Sequence, residues 1–289
     1  MSIVLGTAQF GSDYGIANKS GKVSDAEIKQ ILNIAQKNNI RMLDTAMDYG
    51  DCELRLGRNC LNQFKVITKI SELNLDSNNI QRDIKYKFQK SLENLKIKKI
   101  YGLLLHRPEQ LLSSRGDEII SALMFLKTNN FVEKIGISIY SPKILEKLLK
   151  KIRFDIVQVP FNILDNRIEK SGWLDKLSNL NIEIHARSIF LQGLLLMRYD
   201  ELPKIYFKNH KDLILWYEWQ KNNSSVDPYE ICLKFVLSNS KIDKVLIGID
   251  NRAQIIELVE KIKRDHQIIF PQINCNDENL INPSFWEYL

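Results

Sequence analysis

The sequence predicts an α/β fold of the (β/α)8 TIM-barrel class, with a long loop after the seventh strand and a C-terminal tail. Three observations predict it. Short apolar runs alternate with longer amphipathic segments eight times along 289 residues. Most of these runs are continuously apolar rather than alternating, as parallel strands buried on both faces require. No stretch reads as a linker, so one barrel domain over residues 1–289 accounts for the length. A doubly wound sheet produces the same local pattern and is the alternative fold.

The strand candidates, in order, are residues 3–7, 41–45, 66–69, 101–106, 135–139, 155–160, 182–187 and 244–248. Helical signals fill the gaps. Ser24-Asp25-Ala26-Glu27 is a capping box, with Ile28, Ile31, Leu32 and Ala35 forming one apolar stripe behind it. Ile80, Ile84, Phe88, Leu92 and Leu95 mark a long amphipathic helix. Ser141-Pro142 and Asp227-Pro228 each set an N-cap before a Pro at the first helical position. After Asp250-Asn251, the residues Ile255, Leu258, Val259 and Ile262 face one way. Two stretches stand outside the alternation, residues 190–225 and the tail from Asp265. Trp216, Tyr217 and Trp219 in the first of them form either an aromatic wall of a site or a plain amphipathic helix. Phe285, Trp286 and Tyr288 in the tail either close the barrel mouth or pack on its flank.

Composition narrows the class. Hydrophobic residues make up 44% and charged residues 26%, which argues against intrinsic disorder. No apolar run approaches the ~20 residues a membrane helix needs. The opening MSIVLGTAQFG reads as a strand with no basic segment before it, so no secretory signal is expected. Cys52, Cys60, Cys232 and Cys275 are scattered, without paired metal spacing, and read as reduced thiols of a cytoplasmic protein with no metal site. The net charge of +6 comes from dispersed Lys and Arg, and the densest group, Lys96, Lys98 and Lys99, reads as a solvated turn. Nucleic acid is not an expected partner.

Five apolar runs end on a polar group: Asp44, Lys69, His106, Ser138 and Gln158. In a barrel, the C-terminal strand ends converge on one mouth, where chemistry is built. Any one of these is read most simply as a strand meeting solvent. An acid, a Lys and a His on three consecutive strands share one small space and perturb each other's protonation. Tyr49 follows Asp44 on a short loop that brings its phenol to the same mouth.

Together these residues are specific. Leu5-Gly6-Thr7-Ala8, Asp44-Thr45-Ala46 through Tyr49-Gly50, Glu53 and Leu56-Gly57 resemble the opening signature of the aldo-keto reductases. Thr68-Lys69, Leu104-Leu105-His106 and Ile135-Gly136-Ile137-Ser138 continue it in order, and Gln192-Gly193-Leu194-Leu195 and Ile247-Gly248 with Gln254 extend it. The resemblance implies a catalytic tetrad of Asp44, Tyr49, Lys69 and His106 and an NAD(P)H-dependent reduction of an aldehyde or ketone. The chemistry is coherent: hydride addition puts negative charge on the carbonyl oxygen, so a proton donor must stand beside it. Lys69 would lower the pKa of the Tyr49 phenol, Asp44 would hold Lys69 charged, and His106 would orient the substrate oxygen as a neutral donor.

No GxGxxG follows a strand, so the dinucleotide would lie across the barrel mouth as in these relatives. The resemblance implies contacts from Gly6, Thr7 and Asp44, and carboxamide contacts from Ser138 and Gln158. Arg187 would stand at the nicotinamide. Ser188 to Gly193, with Phe190 and Gln192, would wrap the pyrophosphate, and Gly248, Asp250, Arg252 and Gln254 would meet the adenosine end. The chain departs from the pattern at Ile139, where an Asn is common, and at Arg187, where many members stack an aromatic ring. It departs again at Gly248, Gln254 and Leu258, where NADPH-preferring members carry Lys, Arg and Asn. Arg252 remains as the evident 2′-phosphate partner. NADP(H) is favoured on family frequency, with NAD(H) open. Gly6-Thr7-Ala8-Gln9-Phe10-Gly11 followed by Tyr14-Gly15-Ile16-Ala17 further resembles members linked to sugar metabolism, so a small or sugar-like carbonyl is the expected substrate. Two alternatives stand beside this reading: a cofactor-binding regulatory subunit with little turnover, and an aldolase using Lys69 as a Schiff base.

Overall fold

A computed structural model of the chain describes residues 2–264 and 268–288. Its strands are β1 (Ser2–Gly6), β2 (Met42–Asp44), β3 (Lys65–Ile70), β4 (Ile100–Leu105), β5 (Val132–Ser138), β6 (Ile156–Pro160), β7 (Glu183–Arg187) and β8 (Lys244–Gly248). They pair in parallel in sequential order and close into a barrel, with Gly6 of β1 opposite Gly248 of β8. Closure rules out the doubly wound sheet and leaves no strand edge unpaired. Each predicted strand is present. The fifth starts earlier than its apolar run suggests, because the exposed Glu133 and half-buried Lys134 near its start interrupt the apolar pattern.

A helix follows each strand: α1 (Asp25–Lys37), α2 (Cys52–Leu56), α3 (Ile80–Leu95), α4 (Gly116–Thr128), α5 (Leu145–Leu149), α6 (Trp173–Asn179), α7 (Pro228–Leu237) and α8 (Arg252–Lys263). Ser24 caps α1 by accepting from the Glu27 N–H at 3.2 Å. The reciprocal half of the capping box is not made. The Glu27 carboxylate instead accepts from the Arg252 N–H, tying the start of α1 to the start of α8. Asp227 and Asn251 cap α7 and α8 as their sequences predict, whereas Ser141 caps a short 3-10 turn ahead of α5. The main core lies between strands and helices. A smaller one, with Val4, Met42, Ile67, Leu104, Ile156 and Leu246, fills the barrel interior.

The segment between β7 and α7 is not a loose loop. It contains the helices Ile205–Asn209 and Lys211–Asn222 and builds a second core with the tail. Trp216 is fully buried, donates Nε1–H to the Leu195 carbonyl at 3.1 Å and stacks on Trp219. Tyr217 donates to the Met197 carbonyl at 3.1 Å. Trp286 donates to the Leu280 carbonyl and meets Phe207 edge-on. The plain helix and the flank-packed tail are therefore what the structure contains; residues 265–267 at the start of the tail lie outside the described residues. Cys52, Cys232 and Cys275 are buried, Cys60 is exposed, and all four are free thiols. No helix among the described residues is long and apolar enough to cross a membrane.

At the opposite end of the barrel from the polar strand ends, the Glu183 carboxylate accepts hydrogen bonds from Tyr101 at 3.0 Å, Lys134 at 2.6 Å and His185 at 3.2 Å. Burial alone would raise its pKa, but the hydrogen bonds from His185 and Lys134 and their charges outweigh it and hold the group at about 2. The folded pKa lies below the ordinary carboxylate value, so the stabilisation is complete above about pH 4.5 and is lost as pH falls towards 2. A Glu183→Gln variant should lose about 1 kcal/mol at pH 7, a value discounted for partial solvent screening. The difference should vanish near pH 2, and urea midpoints measured across that range check it.

Candidate active site

The C-terminal strand ends bring together the polar residues that the sequence singles out. Asp44 closes β2, Lys69 lies near the end of β3, and His106 follows β4 directly. Ser138 closes β5, Gln158 sits within β6, and Arg187 closes β7. Lys69 and Asp44 form a salt bridge with side chains 1% and 3% exposed. Lys69 also donates to the Thr45 carbonyl at 3.0 Å and to the Tyr49 hydroxyl at 3.4 Å. The second Asp44 oxygen accepts from Gln158 Nε2 at 2.8 Å, and Gln158 Oε1 accepts from the Ser138 hydroxyl at 3.3 Å. Four side chains from β3, β2, β6 and β5 thus form one hydrogen-bonded chain across the mouth, and each Asp44 oxygen has a donor.

Tyr49 is held by backbone packing. Gly50 has φ +56°, and a Cβ there would come within 2.4 Å of the Gly11 carbonyl oxygen. A Cβ on Gly11 would in turn fall on the Tyr49 carbonyl. The Tyr49 turn is therefore seated directly on the segment after β1, with no side chain between. Arg55 of α2 fastens the same segment, donating to the carbonyls of Phe10 and Val23. Glu53, part of the sequence signature, is buried and accepts from Thr68 at 2.6 Å and Ser91 at 2.8 Å, which locks α2 to β3.

One chemical expectation changes. Burial pushes the Tyr49 phenol well above its ordinary pKa and the Asp44 charge pushes it further, while Arg187 pulls it back. The direction is upward even with Lys69 Nζ 3.4 Å from the hydroxyl. His106 Nδ1 lies 3.3 Å from the Asp48 carboxylate, with its ring edge-on to Tyr49. A carboxylate only accepts, so this contact puts the proton on Nδ1 and leaves Nε2 of the neutral ring an acceptor.

These residues border a cavity of about 620 Å³. Each residue singled out for the cofactor lines it except Arg252, which is exposed and lies off the cavity. Asp250 and Glu257 line that end instead. Asp250 Oδ2 accepts from Gln254 at 3.2 Å, whereas its Oδ1 is buried without a partner. Arg187 stacks its guanidinium on Tyr140 at 4.3 Å and donates to Ser188 and to the Ile139 carbonyl. Lys69 is not part of the cavity lining, so a Schiff base at that amine would need the Asp44 pair dismantled. Tyr140, Asp48 and Glu257 were not singled out from sequence. Tyr140 stands two residues beyond the end of β5, a position that could have flagged it; the other two look like ordinary surface acids.

The chain matches the Aldo/keto reductase family over residues 2–268. It belongs to that family. An L-glyceraldehyde 3-phosphate reductase of Escherichia coli is 24% identical over 169 residues, which is 50% of this chain and 49% of the relative. The chain therefore aligns with about half the length of the curated relatives it matches. An aldo-keto reductase of Bacillus halodurans, solved in its holo form, superposes with a TM-score of 0.74 at 19% identity, covering 92% of this chain and 88% of that one. A glycerol dehydrogenase of Gluconobacter oxydans superposes with a TM-score of 0.69 at 20% identity, covering 92% and 87%.

Removing one member of the buried pair leaves the other as an uncompensated charge. Asp44→Asn should therefore cost about 3–5 kcal/mol of stability. Adding Lys69→Met should recover most of it, and urea denaturation of the two variants checks both values.

Proposed function

We propose that the protein reduces the carbonyl of a small, polar aldehyde or ketone to an alcohol, with Tyr49 as the general acid. One observation carries the reading: the Tyr49 hydroxyl borders the cavity with Lys69 at 3.4 Å behind it and the His106 ring at its side. The cavity suits a dinucleotide. Gly6 and Gly248 pair across β1 and β8 at its floor, where the Gln9 side chain lies against Gly248, and buried, unpartnered Asp250 Oδ1 and Arg187 Nε await polar partners. When bound, that cofactor supplies the hydride that no side chain can. Ser138 and Gln158 would hold the carboxamide, Arg187 with the 188–193 turn the middle of the molecule, and Gly248, Asp250 and Gln254 the adenosine end.

The proton step follows from the residues. As negative charge grows on the substrate oxygen, Tyr49 donates its proton. An alkoxide is a stronger base than phenolate, so the transfer runs downhill even from a raised phenol pKa. Lys69 then stabilises the phenolate, with Asp44 and Gln158 holding the ammonium in place. His106, held at Nδ1 by Asp48 and edge-on to Tyr49, orients the substrate oxygen.

At the adenosine end, Asp250 and Glu257 would repel a 2′-phosphate and accept from a 2′-hydroxyl. Family frequency favours NADP(H), but with Arg252 off the cavity the charges of this chain favour NAD(H). The cavity also offers Asn18, Lys19 and Glu201, polar groups that suit a hydroxyl-rich, sugar-like carbonyl. The names of the glyceraldehyde phosphate reductase and the glycerol dehydrogenase support that class.

Tyr49→Phe should lower kcat by about 10²–10⁴-fold. Its cofactor affinity, read from fluorescence titration, should be unchanged. Surviving turnover would remove Tyr49 as the acid, and cofactor binding without turnover of any carbonyl by the unmodified protein would favour a regulatory role. NADH should bind roughly tenfold more tightly than NADPH, the effect of about 1.4 kcal/mol. Glu257→Gln should narrow that gap in the same titration.

A further inference from the structure

Away from the barrel mouth, the second core closes around metal-ligating side chains that the reaction above does not use. His210 caps the helix Lys211–Asn222, and Asp212 lies in its first turn. Cys275 and Asp277 come from the tail, just before the helix Glu278–Ile281. His210, Asp212 and Cys275 each offer a ligand atom within 4.8 Å of the others, and His210 Nδ1 is 4.0 Å from an Asp212 oxygen. The His210 and Asp212 side chains are 8% and 10% exposed, and Cys275 is 1% exposed. None of the three lines the large cavity.

The outer contacts of the imidazole point the same way. His210 Nε2 lies 3.3 Å from Asp277 Oδ2, which also accepts from the Tyr206 hydroxyl at 2.9 Å. Because a carboxylate only accepts, Nε2 carries the proton and Nδ1 presents its lone pair. Metal-bound imidazoles are held in this way, with a carboxylate behind the far nitrogen. Here Nδ1 accepts from the Asp212 N–H at 3.2 Å.

We propose that His210, Asp212 and Cys275 form a zinc site that fastens the tail to the segment between β7 and α7. Imidazole nitrogen, carboxylate oxygen and thiolate sulfur together suit Zn²⁺, whereas Mg²⁺ and Ca²⁺ take oxygen ligands. One carboxylate and one thiolate balance the two positive charges, as a buried ion requires. Bonds of roughly 2.0–2.3 Å need the ligand atoms drawn to about 3.5 Å apart, a side-chain movement of about an ångström. His210 Nδ1 turns from the Asp212 N–H to the ion. The Cys275 S–H bond breaks as the Zn–S bond forms, the proton leaves to solvent, and no oxidation state changes. Solvent entering beside Asp277, whose side chain is 40% exposed, fills the fourth position. The fastened segment carries Leu196 and Met197, which line the large cavity, so the ion stiffens one of its walls.

The test uses the purified full chain, stripped with a chelator and titrated with Zn²⁺ alone and with Co²⁺ alone. The expected result is one equivalent of zinc by elemental analysis, a raised Tm, and a near-ultraviolet thiolate-to-cobalt charge-transfer band. Cys275→Ala and His210→Ala should each abolish the band and the equivalent of zinc, while Asp277→Asn weakens binding about 10–100-fold. Cys60→Ala, at the exposed thiol, should change neither. Failure of the unmodified chain to bind either metal would overturn the site, as would binding that survives Cys275→Ala or is lost in Cys60→Ala. A cooperative melt and intact cofactor binding in each variant exclude misfolding as the cause of any loss.

Discussion

The buried ion pair between Lys69 and Asp44 is the constraint around which the mouth of this barrel is arranged. Two opposite charges taken out of water are tolerable only when geometry is good and the remaining hydrogen-bonding capacity is used. Lys69 spends its donors on Asp44, the Thr45 carbonyl and Tyr49, and Gln158 takes the other Asp44 oxygen. This demands that β2, β3 and β6 end at matched heights. Parallel register supplies that: Asp44 stands opposite Ile67, two residues before Lys69.

Around this pair, the loops do different work. The Tyr49 turn is fixed by the absence of side chains at Gly11 and Gly50 and by the Arg55 clamp, so the phenol stands on rigid support. The turn after β7 is held more actively, with positive φ at Ser188, Leu191 and Gln192 as well as at Gly193. Such conformations cost of order 1–3 kcal/mol each in non-glycine residues and persist where surrounding contacts over-determine them. Here the segment after β1 reaches across, with Ala17 N–H donating to the Gln192 carbonyl at 3.4 Å and Lys19 pairing with Glu201 at 3.1 Å. The two segments meet beside the cavity that both line.

The second core extends that logic to the flank. Trp216 and Trp286 anchor the segment after β7 and the tail to each other, each with its indole N–H satisfied by a carbonyl. A polar cluster of His210, Asp212, Cys275 and Asp277 at the seam sets the register of the two pieces more sharply than apolar contact alone, because each donor there has few alternative acceptors.

Strand number, strand order along the chain, most helix caps and the polar ends of β2 to β6 were legible in the sequence, because they depend on local periodicity and on residues adjacent in the chain. The membership that the family match shows rests on the same ordered motifs. Relations between distant residues were not legible. Arg252 reads as a phosphate partner in sequence, yet it lies off the cavity while Asp250 and Glu257 line it. Asp48 stands beside His106 Nδ1 although the two are 58 residues apart in the chain. Lys69 reads as lowering the phenol pKa until burial and Asp44 are counted. His210 and Cys275 share no sequence spacing that marks them as neighbours. The sequence by itself determined which groups each strand delivers to the mouth, since a strand's register is local. Which charges face one another, and which proton each group holds, only the tertiary structure decided, because hydrogen bonding and desolvation depend on atoms from opposite ends of the chain.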